Sequence, residues 1–305
     1  MNAIAPSHTA STAVCRVCQQ SEECSVVVLK SSPCYISAEY RMYRCERCRS
    51  AFVAPTPSDE SLARFYGLYH LADDQGGAYD QIEGRMQSDF PAKLNMVRQA
   101  AGGQPGRVLD VGCGKGYFVK CCRDAGVDAT GCDLSESGVR FATDQLKVPA
   151  YCGLLSDIKP DIGLFDTATF WATIEHVSDP IATLRDIASV LRPGGRLLLD
   201  TGIGDDWLDH MLPGCNQWYD PPQHLWVFSA AGLAKAVEAA GFTVEEHDRN
   251  FERSMARRLA KTVRNGALAA GLRAAAIAGR MGQSPFGVTR YPVGNLQSIV
   301  ARVNK

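Results

Sequence analysis

From Arg107 onward the chain alternates apolar runs of strand length with helical stretches, and that alternation leaves few architectures open. Strand-like runs fall at Arg107–Val111, Val127–Cys132, Pro149–Gly153, Phe165–Trp171, Gly195–Thr201, Phe242–Asp248 and Leu296–Val303. Helical stretches lie between them, at Tyr117–Ala125, Glu136–Leu146, Pro180–Leu191 and Ser229–Ala240. Strands joined by helices pair in parallel, with the helices covering both faces of the sheet. The expected fold is α/β, a doubly wound, Rossmann-like sheet of seven strands. Ligands of such sheets bind beyond the carboxyl ends of the strands, at the point where strand order reverses.

The first strand runs into Val108-Leu-Asp-Val-Gly-Cys-Gly-Lys-Gly-Tyr117. Gly112 and Gly114 allow a tight turn and a close approach of backbone to ligand. The spacing is G-x-G-x-G, not the G-x-G-x-x-G of dinucleotide enzymes. Asp110 stands directly before the loop. An acid there repels a pyrophosphate but suits a ligand bearing an ammonium and a sulfonium; capping the loop is the plainer alternative. Asp133 ends the second strand, where an acid accepts the hydroxyls of a ribose.

The N-terminal part carries a different signal. Cys15-Arg-Val-Cys18 and Cys45-Glu-Arg-Cys48 are two C-x-x-C pairs with 26 residues between them. Each pair presents two thiolates on one side of a turn, and two pairs complete a tetrahedral all-sulfur zinc site. Residues 13–54 are therefore expected to form a zinc ribbon, with Zn2+ as a structural ion, because four thiolates leave no open coordination position. Incidental pairs or disulfides are the alternative. Cys24 and Cys34 lack a partner at this spacing and are expected simply to pack. Residues 55–104 read as a helical connector and residues 105–305 as the α/β domain.

At this point the sequence resembles the class I S-adenosylmethionine-dependent methyltransferases. The resemblance rests on the loop Asp110–Gly116, on Asp133, on Phe165-Asp-Thr-Ala-Thr-Phe-Trp-Ala-Thr-Ile-Glu-His176, and on Leu191-Arg-Pro-Gly-Gly-Arg-Leu197. The four-cysteine module, the proline-rich link after it, and Pro221-Pro-Gln-His-Leu-Trp-Val-Phe-Ser229 are similar to a branch that methylates small molecules, including sugar C-methyltransferases. The resemblance implies that Asp110, Gly112, Cys113 and Gly114 hold the methionine end of S-adenosyl-L-methionine. It implies that Asp133 holds the ribose, that Leu134, Gly153 and Leu154 edge the adenine, and that Phe170 and Trp171 approach the methionine through main-chain atoms.

Methyl transfer is an in-line displacement at a carbon already activated by sulfonium, so alignment is the main task and a base is needed only when the acceptor must lose a proton. His224 is the expected base, with fixing its own loop as the alternative. Tyr219 is expected to orient an acceptor. Glu175 and His176 are expected to shape the pocket floor or to cap the next helix. Trp207, Trp218 and Trp226 read either as an aromatic substrate wall or as packing.

Between Phe251 and Arg290 there are eight basic residues and one acid, with an apolar stripe at Met255, Leu259 and Val263. This basic insert, residues 251–290, has several readings: a lid beside the acceptor cavity, a contact for a carrier-bound substrate, a membrane-surface helix, a homodimer contact or a packed helix. The chain as a whole carries 32 basic and 33 acidic side chains, a net charge of −1 that argues against an obligatory nucleic-acid partner. No apolar run approaches the ~18–20 residues that span a bilayer. The polar start has no secretory-signal pattern, and free use of cysteine in an α/β core points to a reducing cytoplasm.

The expected function is methyl transfer to a small-molecule acceptor in a biosynthetic pathway. The alternatives are an enzyme using the same cofactor for another transfer or an internal cyclisation, and a zinc-dependent nucleic-acid or protein binding module with a vestigial cofactor fold.

Overall fold

The computed structural model describes residues 13–18, 24–31, 39–64, 89–211, 218–221, 223–249, 263–264, 266–267 and 295–305. The strands are β1 (Cys24–Ser31), β2 (Glu39–Cys45), β3 (Ala51–Ala54), β4 (Val108–Val111), β5 (Ala129–Asp133), β6 (Ala150–Cys152), β7 (Phe165–Trp171), β8 (Leu191–Gly202), β9 (Trp226–Val227), β10 (Phe242–Asp248) and β11 (Leu296–Val303). The helices are α1 (Phe90–Ala100), α2 (Tyr117–Asp124), α3 (Glu136–Asp144), α4 (Leu155–Ile162), α5 (Pro180–Val190), α6 (Trp207–Met211) and α7 (Ala230–Ala239). Residues 59–64 are also helical.

The large sheet has seven strands in the order β10-β11-β8-β7-β4-β5-β6. Strand order reverses at β4, whose neighbours β5 and β7 both run parallel to it. The carboxyl end of β4 is where Asp110 and the glycine loop emerge. One expectation is corrected: the sheet is mixed, because β11 runs antiparallel to both β8 and β10. The apolar pattern of a strand is the same in either direction, so the sequence marks β11 without orienting it. Helix α4 is also unforeseen, because Pro160 within it and Gly163 after it read as loop signals.

Helix starts follow ordinary capping chemistry. Asp179 accepts the Ala182 N–H before α5, with Pro180 in its first turn. Ser229 accepts the Gly232 N–H before α7. The same hydroxyl donates to the Cys48 carbonyl, so this cap also ties the N-terminal module to the α/β domain.

The small sheet has the order β1-β2-β3-β9. Its last strand comes from the α/β domain: Ala51 pairs with Val227 and Phe52 with Trp226. Phe52, Trp226 and Phe228 pack in series, with ring centroids 5.6 and 5.5 Å apart, the first pair tilted and the second stacked. Arg44 of β2 is buried and donates to Asp209 at 2.6 Å, Tyr219 at 2.5 Å and the Gly204 carbonyl at 3.2 Å. One apolar cluster runs from the ribbon cysteines through Phe52 and Trp226 to Phe165, Leu197 and Leu199 of the large sheet.

The basic insert lies outside the described residues, apart from Val263, Arg264, Gly266 and Ala267, which are helical, with Val263 exposed. Cys34 is outside them too. Among the described residues no helix is long and apolar enough to cross a membrane.

Candidate active site

A cavity of about 290 Å³ opens where β4, β5 and β7 end. All ten residues expected to hold the cofactor line it: Asp110, Gly112, Cys113, Gly114, Asp133, Leu134, Gly153, Leu154, Phe170 and Trp171. The loop can lie this close only because position 112 is glycine. Gly112 has φ +71°, and a Cβ there would sit 2.3 Å from a side-chain carbon of Thr173.

Asp133 is fixed from both sides. One oxygen accepts the Gly114 N–H and the other the Ser135 N–H, each at 2.8 Å. Each oxygen keeps a second lone pair, so the carboxylate is aimed but not saturated. Asp110 is buried and accepts the Thr169 hydroxyl at 2.6 Å. Burial pushes its carboxyl up to about 7; the Thr169 bond and Lys93 oppose that rise, while Asp133 and Asp200 add to it. Among the described residues neither Asp110 nor Asp133 has an ion-pair partner, and the nearby Lys93 is matched to Asp200 at 2.7 Å. Among its described lining residues the cavity therefore carries carboxylates and no lysine or arginine. That is the donor set an amino-acid ligand bearing an ammonium and a sulfonium calls for, and it fits S-adenosylmethionine.

Sequence reasoning missed Lys93, which comes from α1 in the connector and lies 4.5 Å over the Trp171 ring. It also missed Asp200, whose other oxygen accepts the Ala172 N–H at 2.8 Å. An apolar helix pattern around Lys93 was the available signal, since a lysine on the buried face of a helix needs a partner.

The same cavity is also lined by Asp59, Leu62, Val177, Ser178 and Gln223. Ser178 donates to Asp59 at 2.6 Å, closing this wall onto the segment that follows the ribbon.

His176 lines the cavity, while Glu175 and His224 stand behind it. A single turn of 3-10 helix, Ile174–His176, presents the first two. The Leu225 N–H donates to the Glu175 carbonyl at 2.8 Å, which brings the loop of His224 alongside. The two imidazole centroids are 5.0 Å apart. His176 Nδ1 meets the Gln223 carbonyl at 2.5 Å and His224 Nδ1 the Trp218 carbonyl at 2.9 Å. Burial lowers His176 to about 4, so its ring is neutral at pH 7. Glu175 is buried, accepts the Thr201 hydroxyl at 2.9 Å, and is pushed up by burial to about 7. Sequence order thus places His224 near the cavity mouth, but His176 is the imidazole on the wall.

Tyr219 differs from expectation more sharply. It is buried, it is absent from the cavity wall, and its hydroxyl accepts from Arg44 of the ribbon. Two of the three tryptophans are tied to main-chain carbonyls. Trp226 donates to the Val177 carbonyl at 3.1 Å, Trp218 donates to the Asn295 carbonyl at 2.9 Å, and Trp207 is exposed. None of the three lines the cavity.

The four cysteines of the ribbon are buried and close together. Cys15 and Cys48 sulfurs lie 3.7 Å apart, and Cys18 and Cys45 sulfurs 3.9 Å. A disulfide would need about 2.05 Å. Tetrahedral zinc with Zn–S of about 2.3 Å separates its sulfurs by about 3.8 Å, so this set fits that ion.

A methyltransferase-domain family model matches residues 84–247, more than half of the chain. A ubiquinone biosynthesis O-methyltransferase of Coxiella burnetii is 32% identical over 183 residues, covering 54% of this chain and 78% of that protein. The protein of the same description from Aeromonas salmonicida is 28% identical over 180 residues, covering 51% and 71%. Among solved structures, the cyclase SpnF superposes with a TM-score of 0.53 at 22% identity, covering 81% of this chain and 97% of that one. Magnesium protoporphyrin IX methyltransferase from Synechocystis PCC 6803 gives 0.51 at 18% identity, covering 80% and 100%. The sequence match, the reversal of strand order at β4 and the anionic cavity there agree: the chain belongs to the methyltransferase-domain family and is a class I S-adenosylmethionine-dependent methyltransferase.

Proposed function

We propose that the protein methylates a hydroxyl-bearing small molecule in a biosynthetic pathway, and that one Zn2+ held by Cys15, Cys18, Cys45 and Cys48 fixes the ribbon against the acceptor side of its cavity. The observation that carries the reading is that one cavity takes in more than the cofactor set. The ten residues proposed to hold the cofactor line it together with Asp59, Leu62, His176, Val177 and Gln223, to which this reading assigns the acceptor. The relatives named above as O-methyltransferases favour oxygen as the atom methylated.

Bound S-adenosylmethionine supplies an electrophilic methyl group. Asp110 and the glycine loop receive its cationic amino-acid end, and Asp133 receives the ribose. Leu134, Gly153 and Leu154 bound the adenine. The neutral ring of His176 faces the acceptor. Leu62 and Val177 exclude water from that side, which strengthens every electrostatic contact within. Their contribution is alignment, which in favourable cases removes ~7–11 kcal/mol of barrier.

The test is a panel of phenols, catechols and sugars incubated with methyl-labelled S-adenosylmethionine. Label should pass to at least one hydroxylated acceptor with equal release of S-adenosylhomocysteine. Consumption of an acceptor with no release of S-adenosylhomocysteine would favour a cyclase-type reaction instead.

A further inference from the structure

We propose that the α/β domain completes the surroundings of the ribbon zinc, with Lys235 of α7 as the cation that offsets the thiolate charge and holds the ion in place. The inference rests on the zinc assignment above and adds to it a positioning residue from outside the ribbon.

Three observations carry it. Lys235 is half-buried, and its Nζ donates to the Cys18 sulfur at 4.0 Å. Two arginines beside the knuckles point elsewhere: Arg16 to Asp179 and Arg49 to Glu46, each at 3.1 Å. The same face of α7 is also built against the second knuckle. The Ser229 hydroxyl donates to the Cys48 carbonyl, and the Ser229 N–H donates to Ser50 Oγ at 3.1 Å. Ser229, Gly232 and Lys235 recur every third position and so share one side of the helix. Finally, the two surfaces meet too closely for a side chain at position 232, where a Cβ would collide with Ser50 Oγ.

Four thiolates outweigh the charge of Zn2+, so the occupied centre is anionic. The four cysteines are buried, and a buried net charge calls for a partner. The ammonium beside Cys18 supplies one and favours the state in which the thiolates hold the ion. Outer partners of metal ligands typically change affinity about 10- to 100-fold. Because Lys235 belongs to α7 and Cys18 to the ribbon, the contact exists only while the two are docked. Zinc retention and docking of the ribbon therefore support each other.

The test uses the full, zinc-loaded chain and follows transfer of zinc to the chelator pyridylazo-resorcinol by absorbance. Lys235→Met should release its zinc about tenfold faster or more, and Lys235→Arg, which keeps the charge, should stay close to the unaltered chain. Gly232→Ala acts through packing instead of charge and should also speed release. Calorimetry with S-adenosylhomocysteine checks that each variant is folded, since the cofactor cavity lies away from these positions. Equal release from Lys235→Met and the unaltered chain overturns the proposal, and so does release from Lys235→Arg as fast as from Lys235→Met. An unaltered chain that purifies without zinc and takes up none would instead overturn the zinc assignment itself, and this inference with it.

Discussion

Lys93 and Asp200 meet 2.7 Å apart in the interior, and the second oxygen of Asp200 accepts the Ala172 N–H at 2.8 Å. Ala172 follows β7 with φ +45°, a left-handed conformation that an alanine adopts only under constraint. A helix of the connector and a central strand thus jointly hold the turn beside Trp171. Lys93→Ala should strand a buried carboxylate and cost about 3–5 kcal/mol of stability. Urea denaturation measures this, and Asp200→Asn added to Lys93→Ala should recover part of the loss.

The proposed ribose contact makes a binding prediction. Asp133→Ala removes the acceptor of the Gly114 N–H and, on this proposal, of the ribose. Affinity for S-adenosylhomocysteine should fall by ~1.5–3 kcal/mol, about 10- to 150-fold. Calorimetry decides, and an unaltered affinity in a folded variant moves the ribose site elsewhere.

Asp110 makes a pH prediction. Its folded pKa of about 7 lies above the ordinary value of 3.8, so between these limits the native state holds more protons than the unfolded one. This group therefore lowers stability as pH rises through that window and adds no further change above it. A cationic ligand favours the carboxylate and reverses the trend. Affinity for S-adenosylmethionine should rise with pH up to about 7 and release a proton. Calorimetry in buffers of different ionisation enthalpy counts that proton; a pH-independent affinity with no proton release would sink the idea.

Tyr219 separates two roles. If its hydroxyl serves Arg44, Tyr219→Phe should cost ~1.5–3 kcal/mol in stability, as for a hydrogen bond to a charged group, with kcat nearly unchanged. A large loss of kcat at normal stability would return Tyr219 to the acceptor.

The ribbon is linked through the main chain to the turn that carries His176. The Val53 N–H donates to the Leu225 carbonyl, and Leu225 is bonded in turn to Glu175. The chain should purify with one zinc. Cys45→Ser should lose that zinc and speed hydrogen exchange at Leu225–Phe228, more than at β4 and β5. Equal exchange in both regions would mean that the ribbon does not hold the loop.

Much of this protein is written in short-range pattern. The strand–glycine–helix run at Asp110–Tyr117, the acid at Asp133 and the paired cysteines are local devices: the backbone conformation or ligand geometry depends on residues a few positions apart. Without knowledge of the fold they point to residues that line the cavity and to four cysteines that lie together. The acceptor end is different. His176 and His224 are 48 positions apart in sequence, and the Leu225–Glu175 and His176–Gln223 bonds make them neighbours. Tyr219 reads as a site residue until Arg44, 175 positions away, is seen to take its hydroxyl. Lys93 looks like an ordinary helix lysine until burial opposite Asp200 gives it a partner. Burial and pairing across long stretches of chain depend on which faces the sheet brings together, and the strand pattern does not specify that even to the direction of β11.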